Sequence, residues 1–179
     1  YIFTINLLEE IDMIKGVIFD LDGVLVSTDE LHYQAWKKLA EELNIEGFTR
    51  KDNERQRGVS RMASLEIVLE KSDTVYTEEE KVKLAEKKNN YYKELLQQLD
   101  DGAVLKGAKE ALIKLREMGI LIGVGSVSKN TPVILEKTGL LPLIDKVSCG
   151  LDITKSKPDP EVFLVAAKKL ALPVEECLV

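Results

Sequence analysis

Two carboxylates stand where an apolar segment of the chain ends. The stretch KGVIFDLDG passes from β-branched and aromatic residues to Asp20, and Asp22 and Gly23 come shortly after. Two negative charges on the same side of an extended chain repel each other, and burial disfavours the charged form of each. A cation or a chemical role is therefore expected to compensate for their placement.

Three interpretations of this pair are open from the residues alone. The carboxylates can be a solvated strand end, a D-x-D metal site, or a nucleophile with a neighbouring general acid and base. An EF-hand loop is excluded because Gly23 and Val24 break its D-x-[DN]-x-[DN]-G pattern. The third interpretation explains the most. A carboxylate attacks a phosphoryl group only when a cation such as Mg²⁺ offsets their repulsion, and a second carboxylate can carry the proton.

Short apolar runs predict a parallel sheet that positions this pair. Four runs are typical of buried strands: Ile14–Phe19, Ile120–Val124, the weaker Lys146–Cys149, and Cys177–Val179. Helical patterns lie before and between the last three, with glycines or prolines near their ends. Strand and helix thus alternate from Gly107 onward, which predicts right-handed βαβ units.

The region between the first two predicted strands is helical in pattern. Roughly 70 residues are too many for one crossover connection, so an all-α insertion is predicted at residues 28–99. The predicted fold class is α/β: a Rossmann-like parallel-sheet core, residues 1–27 and 100–179, with an inserted all-α helical cap domain. Ligands of open α/β sheets bind beyond the carboxyl ends of the strands, so the cap is expected to cover the active site as a lid.

Composition narrows the partners and the compartment. The 179 residues carry a net charge of −6, which argues against nucleic acid or an anionic membrane but allows a phosphate substrate. The two cysteines form no C-x-x-C motif, which indicates a reducing compartment without a disulfide or zinc site. No apolar run approaches the roughly 20 residues of a membrane helix, and the first residues lack a signal peptide's basic start. A cytoplasmic protein is predicted.

Both ends of the chain differ from a typical start and finish. The chain begins with Tyr1, and Met13 lies just before the first predicted strand. Residues 1–12 are interpreted as an upstream extension, an artificial addition or an ordinary leading segment. The final residues EECLV stop where an apolar run begins, so we expect a chain that is cut at its C-terminus.

The motif DLDGVL after an apolar strand, followed by a helical insertion, resembles the haloacid dehalogenase superfamily of phosphotransferases. The resemblance covers Ile14–Val179. It implies that Asp20 is the nucleophile and Asp22 the general acid and base, and that both contribute to a Mg²⁺ site. It also implies phosphate-binding roles for Ser126, in ILIGVGSVSKN, and for Lys157, in the K-P-x-P setting of TKSKPDPEVF. The superfamily's acidic pair, which completes the Mg²⁺ site, would fall beyond the last residue.

The insertion resembles the β-phosphoglucomutase family within that superfamily. The resemblance lies in STDELHYQAWKKLAEELNI, RQRGVSRMASLEIVLE and KKNNYYKELL, and in GSVSKNTPVILEKTGL of the core. It implies a monomeric mutase that interconverts β-glucose 1-phosphate and glucose 6-phosphate through an aspartyl-phosphate, with glucose 1,6-bisphosphate as intermediate and activator. A phosphatase acting on a small sugar phosphate or phosphoglycolate is the nearest alternative. A non-catalytic binder of a phosphometabolite is another.

The same resemblance assigns roles to residues of the insertion. His32 and Thr28 are expected to act on Asp22, by orienting it or by coupling cap closure to its protonation. Arg61 is expected to clamp the non-reacting phosphate of the sugar, since a guanidinium binds phosphate through two parallel hydrogen bonds. A substrate-specificity loop is expected beside it, formed by Gly58, Val59 and Ser60.

Further contacts with the substrate are expected from the insertion and from the core. Trp36 either lines the sugar pocket or packs the cap. The core residues expected to contact the distal phosphate are Ser128, Lys129 and Asn130. Taken singly, Lys129 can also be a surface charge at a helix start, and a lone histidine such as His32 is most often a surface or core-edge residue.

Overall fold

The structure, a computed structural model, describes residues 14–179. Four parallel strands form one sheet in the order β3-β2-β1-β4. They are β1 (Gly16–Phe19), β2 (Leu121–Gly125), β3 (Lys146–Ser148) and β4 (Cys177–Leu178). The α/β class predicted from the apolar runs is confirmed. The interpretation of residues 1–12 lies outside the described residues.

Parallel pairing brings the carboxyl ends of the strands to one edge of the sheet. β1 and β2 pair with Phe19 opposite Val124, and β2 and β3 pair with Gly125 opposite Ser148. The residues that follow each strand therefore meet at this edge. The apolar pattern that predicts buried strands thus also determines which polar residues come together.

The insertion that follows β1 contains four helices: α1 (Asp29–Glu42), α2 (Arg50–Arg55), α3 (Arg61–Leu69) and α4 (Glu78–Leu96). Residues of α1, α3 and α4, with Phe48 just before α2, form an apolar cluster that includes Trp36, Leu39, Phe48, Leu65, Val68 and Ala85. α4 begins at a capping box in which Thr77 and Glu80 each accept a hydrogen bond from the other's backbone N–H. The insertion is helical, as its pattern predicts.

One helix of the insertion belongs to two apolar clusters. Ala85 of α4 packs within the insertion, whereas Tyr92 and Leu96 pack with Leu112 and Ile122 of the sheet core. α4 therefore links the insertion directly to the sheet. The boundaries of the cap, residues 28 and 99, stay a prediction.

Three helices flank the sheet: α5 (Ala108–Glu117), α6 (Thr131–Lys137) and α7 (Glu161–Leu170). α5 and α6 pack with Ile122 and Val124 of β2, and α7 packs with Ile18 of β1 in a separate cluster. Gly125 allows α7 to come close, because a Cβ there would lie 2.7 Å from Phe163 Cδ1. No helix within residues 14–179 combines the length and the apolar character needed to cross a bilayer.

Candidate active site

Asp20 is the first residue after β1 and forms an ion pair with a lysine. Lys157 Nζ lies 2.6 Å from Asp20 Oδ2, and both side chains are partly buried. The backbone N–H of Leu21 donates to Asp20 Oδ1 at 2.7 Å. A carboxylate held by an ammonium and a backbone donor at the end of a parallel strand has the placement expected of a nucleophile for phosphoryl groups.

Asp22 has a different environment from Asp20. The hydroxyl of Thr28 donates to Asp22 Oδ1. Burial raises the pKa of Asp22, and the negative charge of Asp20 adds to the effect, while the Thr28 hydrogen bond and the Lys157 charge partly offset it. A carboxyl group with a raised pKa beside a second carboxylate is suited to general acid–base chemistry.

The loop after β2 brings serines to the same sheet edge. Ser126 is buried, and its backbone N–H donates to Ser148 O at 3.0 Å, which joins the ends of β2 and β3. The Ser128 N–H donates to Ser126 Oγ at 3.2 Å, and the Asn130 N–H donates to Ser128 Oγ at 3.2 Å. Ser126 and Ser128 accept these hydrogen bonds through Oγ, so each hydroxyl can still donate its own proton to a phosphate in the cavity that both serines share with Asp20.

Replacing Gly150 with alanine is expected to displace this loop. A Cβ at Gly150 would lie 2.2 Å from Val127 O and 3.0 Å from Lys129 Cγ, so the backbone must move. We expect the affinity for inorganic phosphate, measured by isothermal titration calorimetry, to fall about tenfold or more, since hydrogen bonds to the anion are lost. The matched control is Gly102→Ala, whose Cβ would meet only the side chain of Asp100. Equal affinity in both variants would contradict the role given to the loop.

His32 pairs with a lysine that the sequence interpretation did not single out. His32 Nδ1 lies 2.9 Å from Lys88 Nζ, and the His32 ring stacks on Tyr92 with 4.1 Å between ring centroids. Burial lowers the pKa of His32 well below its usual value, and the charges of Lys88 and Arg61 lower it further. This favours the neutral imidazole, to which the ammonium form of Lys88 can donate at Nδ1. An effect of His32 on Asp22 stays a prediction.

Lys88 lies in the interior of the protein, between aromatic rings. Its Nζ is 4.5 Å from the centroid of the Trp36 ring and 4.9 Å from that of Tyr92. Burial, together with the Arg61 charge and against the opposing charge of Asp22, lowers the pKa of Lys88 to about 7. Lys88 is thus a buried amine whose proton is exchanged near neutral pH.

Replacing Lys88 with methionine is expected to stabilise the fold in a pH-dependent way. Between about pH 7 and 10.5 the unfolded chain holds a proton on Lys88 that the folded chain releases, so the free energy of unfolding of the wild type rises with pH across this window. The gain of Lys88→Met over the wild type should be largest below about pH 7, and it should shrink toward pH 10.5. Urea unfolding across this range checks it, with exposed Lys93→Met as the control. A gain that is independent of pH would contradict the buried-amine interpretation.

Arg61 differs from the other arginines of the chain. Arg50, Arg55, Arg57 and Arg116 each form an ion pair with a carboxylate, whereas Arg61 has no such partner within residues 14–179. Its side chain is half-buried, and burial lowers its pKa although the charge of Glu86 opposes the shift. A partly buried guanidinium without a protein partner is an available binding group for an anion.

The remaining insertion residues surround Arg61 and His32. Ser60 caps α3, since its Oγ accepts from the Ala63 backbone N–H at 3.2 Å. Gly58 has a φ of 73°, which only glycine adopts readily, so the turn of the loop Gly58–Ser60 depends on it. Trp36 is 2% exposed within the apolar cluster of the insertion and also lines the cavity described next, so its two predicted roles coexist.

A single cavity of about 900 Å³ contains all of these groups. It lies between the carboxyl edge of the sheet and the insertion, and its size suits a sugar carrying phosphate groups. All fourteen predicted site residues line it: Asp20, Asp22, Thr28, His32, Trp36, Gly58, Val59, Ser60, Arg61, Ser126, Ser128, Lys129, Asn130 and Lys157. Lys88, Asn89 and Tyr92 of α4 line it as well.

The three α4 residues were missed at the sequence level although a signal exists. Positions 85, 88, 89, 92 and 96 recur at helical spacing and form the buried face of α4. A lysine and an asparagine on an otherwise apolar face are unusual and indicate a polar site. The strongly charged character of the whole helix obscured them.

The residues present fit a Mg²⁺ ion. Asp20 and Asp22 would offer oxygen ligands, and Mg²⁺ is usually held by few protein oxygens together with substrate phosphate and water. Within residues 14–179 no group of three or more His, Cys, Asp or Glu side chains is placed to hold a metal ion. A Mg²⁺ ion held by these two residues would therefore need oxygens of the substrate phosphate and of water to complete its coordination.

Comparison with known proteins agrees with this geometry. Residues 14–179 match the model of a family described as haloacid dehalogenase-like hydrolase. The β-phosphoglucomutase of Bacillus subtilis (strain 168) is 39% identical over 165 residues, which are 91% of this chain and 73% of the relative. The crystal structure of a β-phosphoglucomutase from Clostridium difficile matches with a TM-score of 0.84 at 40% identity, covering 92% of this chain and 74% of that one. A phosphorylated carbohydrates phosphatase of Thermotoga maritima is 27% identical, covering 92% of this chain and 74% of the relative.

The fold and the cavity define an α/β enzyme that acts on phosphoryl groups at the carboxyl edge of a parallel sheet. The chain belongs to the haloacid dehalogenase-like hydrolase family. Its relatives include mutases and phosphatases, so its reaction is phosphoryl transfer or phosphate ester hydrolysis.

Proposed function

We propose that the protein is a phosphomutase that interconverts β-glucose 1-phosphate and glucose 6-phosphate. One observation carries the proposal: a single cavity holds the Asp20–Lys157 pair on the sheet side and the unpaired Arg61 on the insertion side. A phosphatase needs to bind only the phosphate that it removes. A mutase must also hold a second phosphate at the far end of the sugar, and Arg61 supplies a cation for it. The relatives named β-phosphoglucomutase, at 39% and 40% identity, support the same choice.

Asp20 carries the phosphoryl group between two sugar hydroxyls. Its phosphorylated carboxylate donates the group in line to the C6 hydroxyl of β-glucose 1-phosphate, which gives glucose 1,6-bisphosphate. The bisphosphate then turns around in the cavity, and Asp20 takes the phosphoryl group from C1. Glucose 6-phosphate is released and the phosphorylated Asp20 is regenerated. Ser126 and Lys157 hold the oxygens of the group in transit.

Asp22 moves the proton that each transfer requires. When the C6 hydroxyl attacks, its proton passes to the Asp22 carboxylate, and in the reverse sense Asp22 returns a proton to the departing C1 oxygen. Burial and the Asp20 charge raise the pKa of Asp22, so the Asp22 carboxylate takes up a proton more readily than an ordinary aspartate. The Thr28 hydroxyl fixes which oxygen of Asp22 remains free for this exchange.

Asp20 and Asp22 are the residues that would hold Mg²⁺. When bound, the ion supplies positive charge that offsets the repulsion between carboxylate and phosphate. Lys157 contributes to the same neutralisation from the protein itself, through its contact with Asp20.

The insertion keeps water away from the phosphorylated aspartate. A phosphoaspartate that meets water hydrolyses, and the cycle then loses its phosphoryl group. The His32–Lys88 pair and the stacked Tyr92 join α1, which begins directly after Thr28, to α4. One chain supplies every one of these residues, so a monomer is sufficient for the reaction.

A phosphatase acting on a small sugar phosphate or phosphoglycolate is the second candidate, because a Thermotoga maritima relative is named a phosphatase. Product identity separates the two activities. The protein is incubated with β-glucose 1-phosphate, Mg²⁺ and a trace of glucose 1,6-bisphosphate, and glucose 6-phosphate and inorganic phosphate are both measured. The proposal predicts glucose 6-phosphate as the main product and a requirement for the bisphosphate. Inorganic phosphate in its place, at a rate independent of the bisphosphate, would identify the phosphatase.

A further inference from the structure

A hydrogen bond between two buried amides joins the insertion to the core across the cavity. Asn130 Nδ2 donates to Asn89 Oδ1 at 3.0 Å. Asn89 lies on α4 and is 7% exposed; Asn130 lies at the start of α6 and is 8% exposed. Both residues line the cavity that holds the phosphate-binding groups. Buried side chains bridging two parts of a fold are rarely incidental, because each polar group must be satisfied where it is placed.

The hydrogen bond between Asn130 and Asn89 leaves some of their side-chain N–H groups without an acceptor. An asparagine side chain has one acceptor oxygen and two N–H donors. Oδ1 of Asn89 accepts one N–H of Asn130, so the second N–H of Asn130 remains, and it has no acceptor within residues 14–179. Both N–H groups of Asn89 are likewise without an acceptor in that part of the chain. The pair therefore presents donors, and it lines the same cavity as Ser128, Lys129 and Arg61.

The orientation of the Asn130 amide depends on Asn89. The terminal torsion of an asparagine side chain is soft and roughly two-fold, so a free amide turns either its oxygen or its nitrogen toward a neighbour. The Asn89 oxygen accepts only from nitrogen, and this requirement selects one of the two orientations. The backbone N–H of Asn130 already donates to Ser128 Oγ at 3.2 Å. The backbone is therefore held, and only the side-chain torsions of Asn130 remain to be fixed.

We infer that Asn89 is a positioning residue that acts through Asn130, orienting its amide so that an N–H faces the distal phosphate of a sugar bisphosphate. The inference rests on the proposed function, since it concerns the phosphate that Asp20 does not touch. Binding of that phosphate is then coupled to the contact between the insertion and the core. α4 transmits the coupling, because the same helix carries Lys88 next to His32 and packs Tyr92 and Leu96 into the core.

A double-mutant cycle in ligand affinity tests this role. The reference protein is Asp20→Asn, which holds glucose 1,6-bisphosphate without turning it over, and the affinity is measured by isothermal titration calorimetry. Asn89→Ala and Asn130→Ala are each expected to weaken binding about tenfold, the size of one lost hydrogen bond to an anion. The double variant should bind no more weakly than Asn130→Ala alone, because Asn89 acts only through Asn130. Asn90→Ala, at the exposed neighbouring position of α4, is the matched control and should equal the reference.

The outcomes separate this inference from the proposed function. Losses that multiply in the double variant, or an Asn89→Ala affinity equal to the reference, would overturn the positioning role while bisphosphate binding persists. A reference protein that binds no bisphosphate would overturn the proposed function and the inference together. Asn89→Leu keeps the side-chain volume, so it should repeat the affinity loss with an unchanged melting temperature if Asn89→Ala is poorly folded. A full affinity in Asn89→Leu would count against the hydrogen bond.

Discussion

Asp20→Asn is expected to abolish phosphoenzyme formation and to lower the rate of sugar phosphate isomerisation by at least ~10⁴-fold, because an amide is no nucleophile for phosphorus. The side chain keeps its size, but an amide has a single acceptor oxygen, so only one of the two donors, Lys157 Nζ or the Leu21 N–H, keeps its partner. Quenching the reaction in acid and weighing the intact protein by mass spectrometry detects one added phosphoryl group. The wild type should carry it after incubation with glucose 1,6-bisphosphate, and the variant should not.

Two further variants make this result specific. Asp22→Asn keeps the nucleophile and removes the proton carrier, so it should still accept a phosphoryl group from a donor with a good leaving group and turn it over slowly. Asp101→Asn, in the exposed turn after α4, should match the wild type. Retained isomerisation in Asp20→Asn, with a normal melting temperature, would show that phosphoryl transfer does not pass through this carboxylate.

Arg61→Ala is expected to reduce kcat/KM for β-glucose 1-phosphate by ~100-fold or more, which corresponds to the loss of a bidentate charged hydrogen bond in a partly buried site. The substrate's non-reacting phosphate loses its cation, so both its affinity and its alignment suffer. Hydrolysis of a small phosphoester such as p-nitrophenyl phosphate has no second phosphate and should fall far less. Steady-state kinetics on both substrates measures the loss of kcat/KM for each, and the two losses are then compared.

Arg55→Ala is the matched control for Arg61. Arg55 is exposed on α2 and its guanidinium already pairs with Glu70, so its removal should leave both activities near the wild type. Arg61→Lys keeps the positive charge but cannot form two parallel hydrogen bonds to a phosphate. Its activity should therefore lie between that of Arg61→Ala and that of the wild type. An equal loss of both activities in Arg61→Ala would argue against a clamp on the distal phosphate.

The sheet was predictable because each strand is a short apolar run that stops at a polar residue. The run before Asp20 and the run before Ser126 correspond to β1 and β2, and parallel pairing alone then places the two residues at one edge. The limits differ from the expected runs by at most two positions: β1 begins at Gly16 rather than Ile14, and β2 spans Leu121–Gly125 rather than Ile120–Val124. The helical insertion was predictable from the length of helix between the two runs.

The partners of the site residues were harder to predict, because they depend on how helices rotate against each other. The expected effect of His32 on Asp22 stays a prediction, whereas the contact of its ring nitrogen with Lys88, fifty-six positions away in the sequence, was not expected. Periodicity places Lys88 and Asn89 on the buried face of α4, yet it cannot tell which groups that face meets. The contact of Asn89 with Asn130 depends in addition on the loop after β2, whose course has no periodic signal.

The fate of the phosphoryl group on Asp20 tests the mutase proposal most directly. Phosphoenzyme labelled with ³²P is mixed rapidly with unlabelled β-glucose 1-phosphate in the presence of Mg²⁺, and the reaction is quenched at successive times. The label should move mainly into glucose 1,6-bisphosphate and glucose 6-phosphate, much faster than it is released in buffer without the sugar. Release of the label as inorganic phosphate, at the same rate with and without the sugar, would contradict the proposal and identify water as the acceptor.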